Sequence, residues 1–162
     1  MKKLAGLLLL FCLYTQAQSQ APGRMFAAYK ATSVSAAAEK ITIQQPTSGD
    51  RFVRFMGAYV YCSVACTVTL SRNGTAATST TLTQVALNPS HPNVITSAVN
   101  VYSSSNVGAG TTISAYDLSA GSTLVLDLKD MVLTGNVATT NLSLGTNSIT
   151  GNVKIGITWM EQ

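Results

Sequence analysis

Ala58-Tyr59-Val60-Tyr61-Cys62-Ser63-Val64-Ala65-Cys66-Thr67-Val68-Thr69-Leu70 is the stretch whose reading decides the fold of this chain. On both arms small or apolar residues alternate with tyrosine or threonine, which is the period of a strand with one dry face. Taking Ser63-Val64-Ala65 as a three-residue hairpin loop pairs Cys62 with Cys66, Val60 with Val68 and Ala58 with Leu70. Those six side chains then share one face, and Tyr59, Tyr61, Thr67 and Thr69 share the other. Opposed residues in such a pair sit about 4.5 Å apart at Cα, within reach of a disulfide. The expectation is a hairpin closed by a structural Cys62–Cys66 bond. A redox pair more often shows CxxC beside a helix, and here the spacing is CxxxC between strands.

Working outward, the same alternation recurs between turn signals. Lys40-Ile41-Thr42-Ile43-Gln44 stops at Pro46-Thr47-Ser48-Gly49, and residues 51–62 form a longer run with Gly57 as the expected bulge or twist point. Residues 66–71 end at Asn73-Gly74, the strongest hairpin signal in the chain. Further runs cover 80–87, 99–102, 112–116, 123–128, 131–133 and 141–144, with Ser119-Ala120-Gly121 as one of the connecting turns. The cleanest pattern is the last, where Val153, Ile155, Ile157 and Trp159 alternate with Lys154, Gly156 and Thr158. No apolar stripe of helical period persists, and the best helical candidate, 34–40, is only one or two turns long. The expected architecture is all-β, an antiparallel β-sandwich of jelly-roll or Greek-key topology. No internal repeat is present, which argues against a propeller or solenoid.

The amino terminus carries a different signal. Met1-Lys2-Lys3 precedes an apolar run over 4–14, and Thr15-Gln16-Ala17 places small residues where signal peptidase cuts. The run is shorter than the ~20 residues a membrane-spanning helix needs. The domain reading is a cleaved signal of bacterial type over 1–17, a tether or edge strand over 18–38, and a sandwich over 39–162. Secretion, to the extracellular space or periplasm, follows. Cys12 leaves with the signal, so Cys62 and Cys66 remain as an even pair in an oxidising compartment. Lys2 and Lys3 leave too: ten basic residues become eight against six acidic ones, and the formal charge falls from +4 to +2. No basic run survives, so nucleic acid is not an expected partner.

The mature chain offers little for catalysis. His91, the one imidazole, lies between Pro89 and Pro92 with no nucleophile elbow elsewhere. The carboxylates fall mostly at strand ends or turns, and Lys129 is a ready partner for Asp127. Asp117, Asp127 and Asp130 offer oxygen ligands but no calcium-loop spacing, and zinc would lack ligands beyond the cysteine pair and His91. Gly108-Ala109-Gly110 lacks the lysine of a phosphate loop. The chain is therefore read as a non-enzyme without cofactor or metal. Asn73-Gly74-Thr75 and Asn141-Leu142-Ser143 match the glycosylation pattern and are read as a turn and a coincidence.

Binding is the better expectation. Only 10% of residues are charged, and Ser, Thr, Asn and Gln supply the polarity, which leaves sheet edges and faces free to self-associate. The primary reading is a secreted structural or interaction protein that assembles with itself or with other surface proteins; residues 21–38 could add to a neighbour's sheet. The alternative is a carbohydrate-binding module, with Tyr59, Tyr61, Tyr102 and Tyr116 as a ligand or interface face and Thr67 and Thr69 as its polar rim. N-terminal sequencing of the secreted protein is expected to begin at Gln18, and a start at Met1 would remove the signal assignment.

Overall fold

The computed structural model describes residues 23–45, 52–74, 80–87, 97–103, 110–134 and 140–162. The expected signal segment at 1–17, the turn expected at 46–49, Thr75, His91 with its flanking prolines, and Gly108-Ala109 lie outside the described residues. Among the described residues twelve strands run in chain order: β1 (Arg24–Ala37), β2 (Lys40–Gln44), β3 (Val53–Cys62), β4 (Cys66–Arg72), β5 (Thr80–Thr81), β6 (Val85–Ala86), β7 (Asn100–Ser103), β8 (Thr111–Leu118), β9 (Thr123–Asp127), β10 (Val132–Leu133), β11 (Asn141–Thr146) and β12 (Ile149–Glu161). Among the described residues there is no helix. No helix is long and apolar enough to cross a membrane among them. Stretch 34–40, the best helical candidate, belongs instead to the end of β1 and the start of β2. Val34 is buried against the core, and Ala36 takes φ 50° at a bulge where its N–H donates to Thr150 Oγ1 at 2.9 Å.

The strands form two antiparallel sheets packed face to face. The first has the order β10-β3-β12-β1-β6, with β9 also paired to β3, and the second has the order β5-β7-β2-β11-β4-β8. β12 is the centre of the first sheet, bonded to β1 on one side and β3 on the other over most of its length. Val153, Ile155, Ile157 and Trp159 all point inward and are buried, as their alternation requires. Phe26 stacks on Trp159 at a centroid separation of 5.9 Å. From the opposite sheet Ile41, Ile43, Leu70, Val101 and Leu144 complete the core. Burying each such aliphatic side chain contributes about 1.5–3 kcal/mol relative to exposure.

β3 carries inward residues of both parities, Val53 and Phe55 and then Ala58, Val60 and Cys62. A single strand achieves this only with an extra residue. The register with β12 slips there: Thr158 faces Gly57 while Trp159 faces Phe55, leaving Met56 as the insertion. The bulge thus falls at Met56–Gly57. A buried carboxylate closes the same end of the sandwich. Glu161 accepts hydrogen bonds from the Ser97 hydroxyl, the Ala98 N–H at 3.0 Å and the Trp159 indole N–H at 3.2 Å, which anchors the chain entering β7.

Three local expectations are corrected. β3 and β4 do not form a hairpin, because β3 pairs with β12 and β9 in the first sheet and β4 with β11 and β8 in the second. The chain crosses between sheets at 63–65, and the Cys62–Cys66 disulfide, with Cα atoms 6.4 Å apart, bridges the sheets at that corner. The six predicted core residues are buried all the same, since they face one another across the sandwich. Secondly, Asn73-Gly74 does not turn β4 back on a neighbour. β4 ends there with Asn73 at φ 56°, and β5 pairs with β7. The buried Asn141 side chain accepts from the Gly74 N–H at 3.0 Å and donates to the Gly74 carbonyl at 2.6 Å. That buried, doubly bonded amide is not presented as a glycan acceptor. Thirdly, the run 80–87 is split: Thr80–Thr81 joins the second sheet, Val85–Ala86 the first, and Leu82-Thr83-Gln84 passes between them.

A bridge closing so short a loop contributes about 2 kcal/mol in the chain-entropy picture. Replacing Cys62 and Cys66 together by alanine is expected to lower the unfolding free energy in urea by about that amount, with the far-ultraviolet spectrum unchanged. Loss of the native spectrum would instead make the bond a condition of folding.

Candidate functional site

The outer face of the first sheet follows directly from the register. Side chains opposed across paired strands point the same way, so Tyr29, Gly156, Tyr59 and Val125 form one row across β1, β12, β3 and β9. The next row is Ala31, Lys154, Tyr61 and Thr123, and on the other side lie Val85, Ala27, Thr158, Gly57 and Asp127. Gly156 is needed at the centre: a Cβ built there would run into the Tyr59 ring. The ring lies across the glycine backbone, and Tyr29 approaches from the next strand with ring centroids 6.3 Å apart and planes tilted by 30°. Together they wall a groove of about 480 Å³ whose other linings include Ala27, Gly57, Val125 and Thr158.

The groove lies in an apolar surface. Of the nine large hydrophobic residues left exposed among the described ones, five stand on this face: Val125 (75%), Val85 (57%), Tyr29 (50%), Val132 (47%) and Tyr59 (38%). Charge stands in the rows beside the groove and at Arg54, opposite Val132. Lys154 holds its ammonium 5.5 Å from the Tyr61 ring centre. Asp127 pairs with Lys129 at 2.9 Å, and the hydrogen bond from that lysine holds the Asp127 carboxyl below the usual carboxylate range. Arg54 donates to the Lys129 carbonyl at 3.0 Å. Among the described residues no three His, Cys, Asp or Glu side chains gather as a metal site.

The four tyrosines singled out from sequence do not share a surface. Tyr59 and Tyr61 stand together on this face. Tyr102, opposite Thr42 on β2, lies on the outer side of the second sheet, and Tyr116, opposite the buried Val68, has the inward phase on edge strand β8 yet stays exposed. Thr67 and Thr69, expected as a polar rim, belong to β4 and so to the far side of the sandwich, where Thr67 Oγ1 donates to Asp117 at 2.8 Å. Their separation follows from the sheet crossing at 63–65. The residue that sequence reasoning passed over is Tyr29. Its signal was its phase: Met25, Ala27 and Tyr29 alternate with the buried Phe26 and Ala28.

Comparison with protein-family models, curated proteins and solved structures finds no match to this chain. The site is defined by its own chemistry, an aromatic, concave groove with no charged lining residue.

Burial pushes the Tyr59 phenol above its ordinary value, and the neighbouring Tyr29 phenolate pushes it in the same direction. A raised folded-state value means that the folded protein holds the phenolic proton longer than the unfolded chain does. The associated stability is present below the ordinary tyrosine pKa and is lost as pH rises through the folded value. Spectrophotometric titration is expected to show one phenol ionising late. That step disappears in Tyr59→Phe and moves part of the way back in Tyr29→Phe.

Proposed function

We propose that this is a secreted, non-catalytic structural or interaction protein that assembles with itself through the outer face of its first sheet. The observation that carries the reading is the concentration of exposed Tyr29, Tyr59, Val85, Val125 and Val132 on one face, whose charged groups Lys154, Asp127 and Arg54 stand outside the Tyr29–Tyr59 row. Tyrosine enrichment with charge kept out of the central groove is the anatomy of an interface centre. Contiguous apolar surface on a soluble domain marks a place where something else packs. The amino-terminal leader supports export to the extracellular space or periplasm, where self-association would build a surface or matrix component. For sugar stacking, the polar rim that Thr67 and Thr69 were expected to supply stands on the opposite sheet, which weighs toward a protein partner.

The strand order supports a jelly roll as the topology. β1 pairs with β12, β2 with β11, β3 with β9 and β4 with β8. These pairs nest as one long hairpin folded over itself, the connectivity of two Greek keys. Such a wrap places the first and last long strands side by side at the centre of one sheet, which is why the groove is built from β1, β12 and β3.

Light scattering on residues 18–162 is expected to show a multimer at micromolar concentration. In Tyr29→Ser/Tyr59→Ser the association should weaken at least tenfold with the fold intact. A wild-type monomer at every concentration would overturn the reading. If that monomer bound neutral oligosaccharides through Tyr59, the sugar-binding alternative would take its place.

A further inference from the structure

We infer that Tyr29 and Tyr59 form a site of oxidative coupling, at which a haem peroxidase with hydrogen peroxide joins the two rings of one chain as dityrosine. The inference stands apart from the self-assembly reading, since it concerns the free face and needs no second copy.

The two residues are distant in sequence and meet only because β1 and β3 flank β12. At the usual strand spacing their backbones lie about 9.5 Å apart, and a side chain standing between them would keep the rings separate. Gly156 holds that intervening position, and a Cβ there would run into the Tyr59 ring. With the space open, the ring centroids come to 6.3 Å with planes tilted by 30°. Tyr29 is 50% exposed and Tyr59 38%, so an oxidant in solvent reaches both. Exposed rings reorient about their side-chain torsions in picoseconds to nanoseconds, which brings the facing ring edges together.

Other oxidisable groups among the described residues are placed differently. Trp159, the single tryptophan of the chain, is fully buried, and Cys62 and Cys66 are already joined. In the next row of the same face Tyr61 stands beside Lys154 and then Ala31, so no tyrosine lies across β12 from it. Its ring faces the Lys154 ammonium instead. Tyr102 and Tyr116 belong to the second sheet.

The coupling balances without further reactants. Each phenol gives one electron and its hydroxyl proton to the oxidised haem, leaving a phenoxyl radical with spin density at the ring carbons ortho to oxygen. One ortho carbon of Tyr29 bonds to one of Tyr59, and the hydrogen on each of those carbons moves to its oxygen, which restores two phenols. Two electrons and two protons have left, and they convert one hydrogen peroxide to two waters. The new bond ties β1 to β3 over the strand that both of them pair with. An interface closed over the rings would keep the oxidant out, so the coupling belongs to the unassociated chain.

The test is treatment with a haem peroxidase and equimolar hydrogen peroxide, at protein concentrations below any association. Expected are dityrosine fluorescence, an intact mass lower by two hydrogen atoms, and a cross-linked peptide pair containing Tyr29 and Tyr59. Methionine sulfoxide adds oxygen, so mass separates that side reaction. The yield should hold over a tenfold dilution, and the coupled protein should melt about 5 °C higher because the link restricts the unfolded chain. Tyr29→Phe and Tyr59→Phe should each lower the yield within the chain at least tenfold, while Tyr61→Phe leaves it unchanged. Gly156→Ala, which displaces the Tyr59 ring, should lower it at least fivefold. A yield that falls with dilution, a link through Tyr61, or full coupling in Gly156→Ala would overturn the inference. A wild-type chain that stays monomeric yet couples would support it and remove self-assembly alone.

Discussion

β12 is the strand on which the rest of the molecule depends. It is paired on both sides for most of its length, and its inner face supplies Val153, Ile155, Ile157 and Trp159 to the core. The two jobs constrain each other. Slipping β12 by one residue against β1 or β3 would turn all four side chains to solvent and bring Lys154 inward. The bulge at Met56–Gly57 is the accommodation that β3 makes to this partner, letting both ends of β3 keep their apolar residues inside. The outer row is a product of the same register, since Gly156 comes to lie between Tyr29 and Tyr59 only because Val153 and Ile155 are already inside.

The corner at 63–65 has a different role. Cys62 continues the first sheet, where its carbonyl accepts from the Gly121 N–H at 2.9 Å and its N–H reaches the Ser122 carbonyl. Cys66 starts a strand of the second sheet opposite the buried Leu118. The disulfide therefore fixes the spacing of two layers at one end, while Glu161 with Ser97, Ala98 and Trp159 ties the chain at the other. Hydrophobic contact between the sheets is non-directional. These two polar or covalent ties give it a defined geometry at each end.

The alternation of Val153 to Trp159, the bulge near Gly57 and the Cys62–Cys66 bond were legible from the chain because each depends on neighbours close in sequence. Sheet membership was not. A hairpin and a crossing between sheets leave the same residues dry, so Ala58 to Leu70 reads identically for both, and the choice is made by β12 and β11 from the far end of the chain. The candidate site failed to appear for a related reason. Tyr59 and Tyr61 were visible, but Tyr29 reaches them only through Gly156, and Val125 joins them only through β9. The run 80–87 lacked any internal mark for where it changes sheets, because the change is set by pairing with β7 and β1.

The clasp of Asn141 on Gly74 has a consequence for the chemical ageing of the protein. An Asn-Gly step degrades when the glycine backbone nitrogen attacks the asparagine side-chain carbonyl and closes a succinimide ring. Here that nitrogen, on Gly74, is donating to Asn141 Oδ1, and the Asn73 N–H is bonded to the Asn141 carbonyl at 3.0 Å. The nucleophile is occupied and the local backbone is held at both residues. While the end of β4 stays folded, Asn73 is protected from deamidation, and each local opening exposes it. Isoaspartate at Asn73 would therefore accumulate as a slow record of how often this edge of the sandwich has come apart.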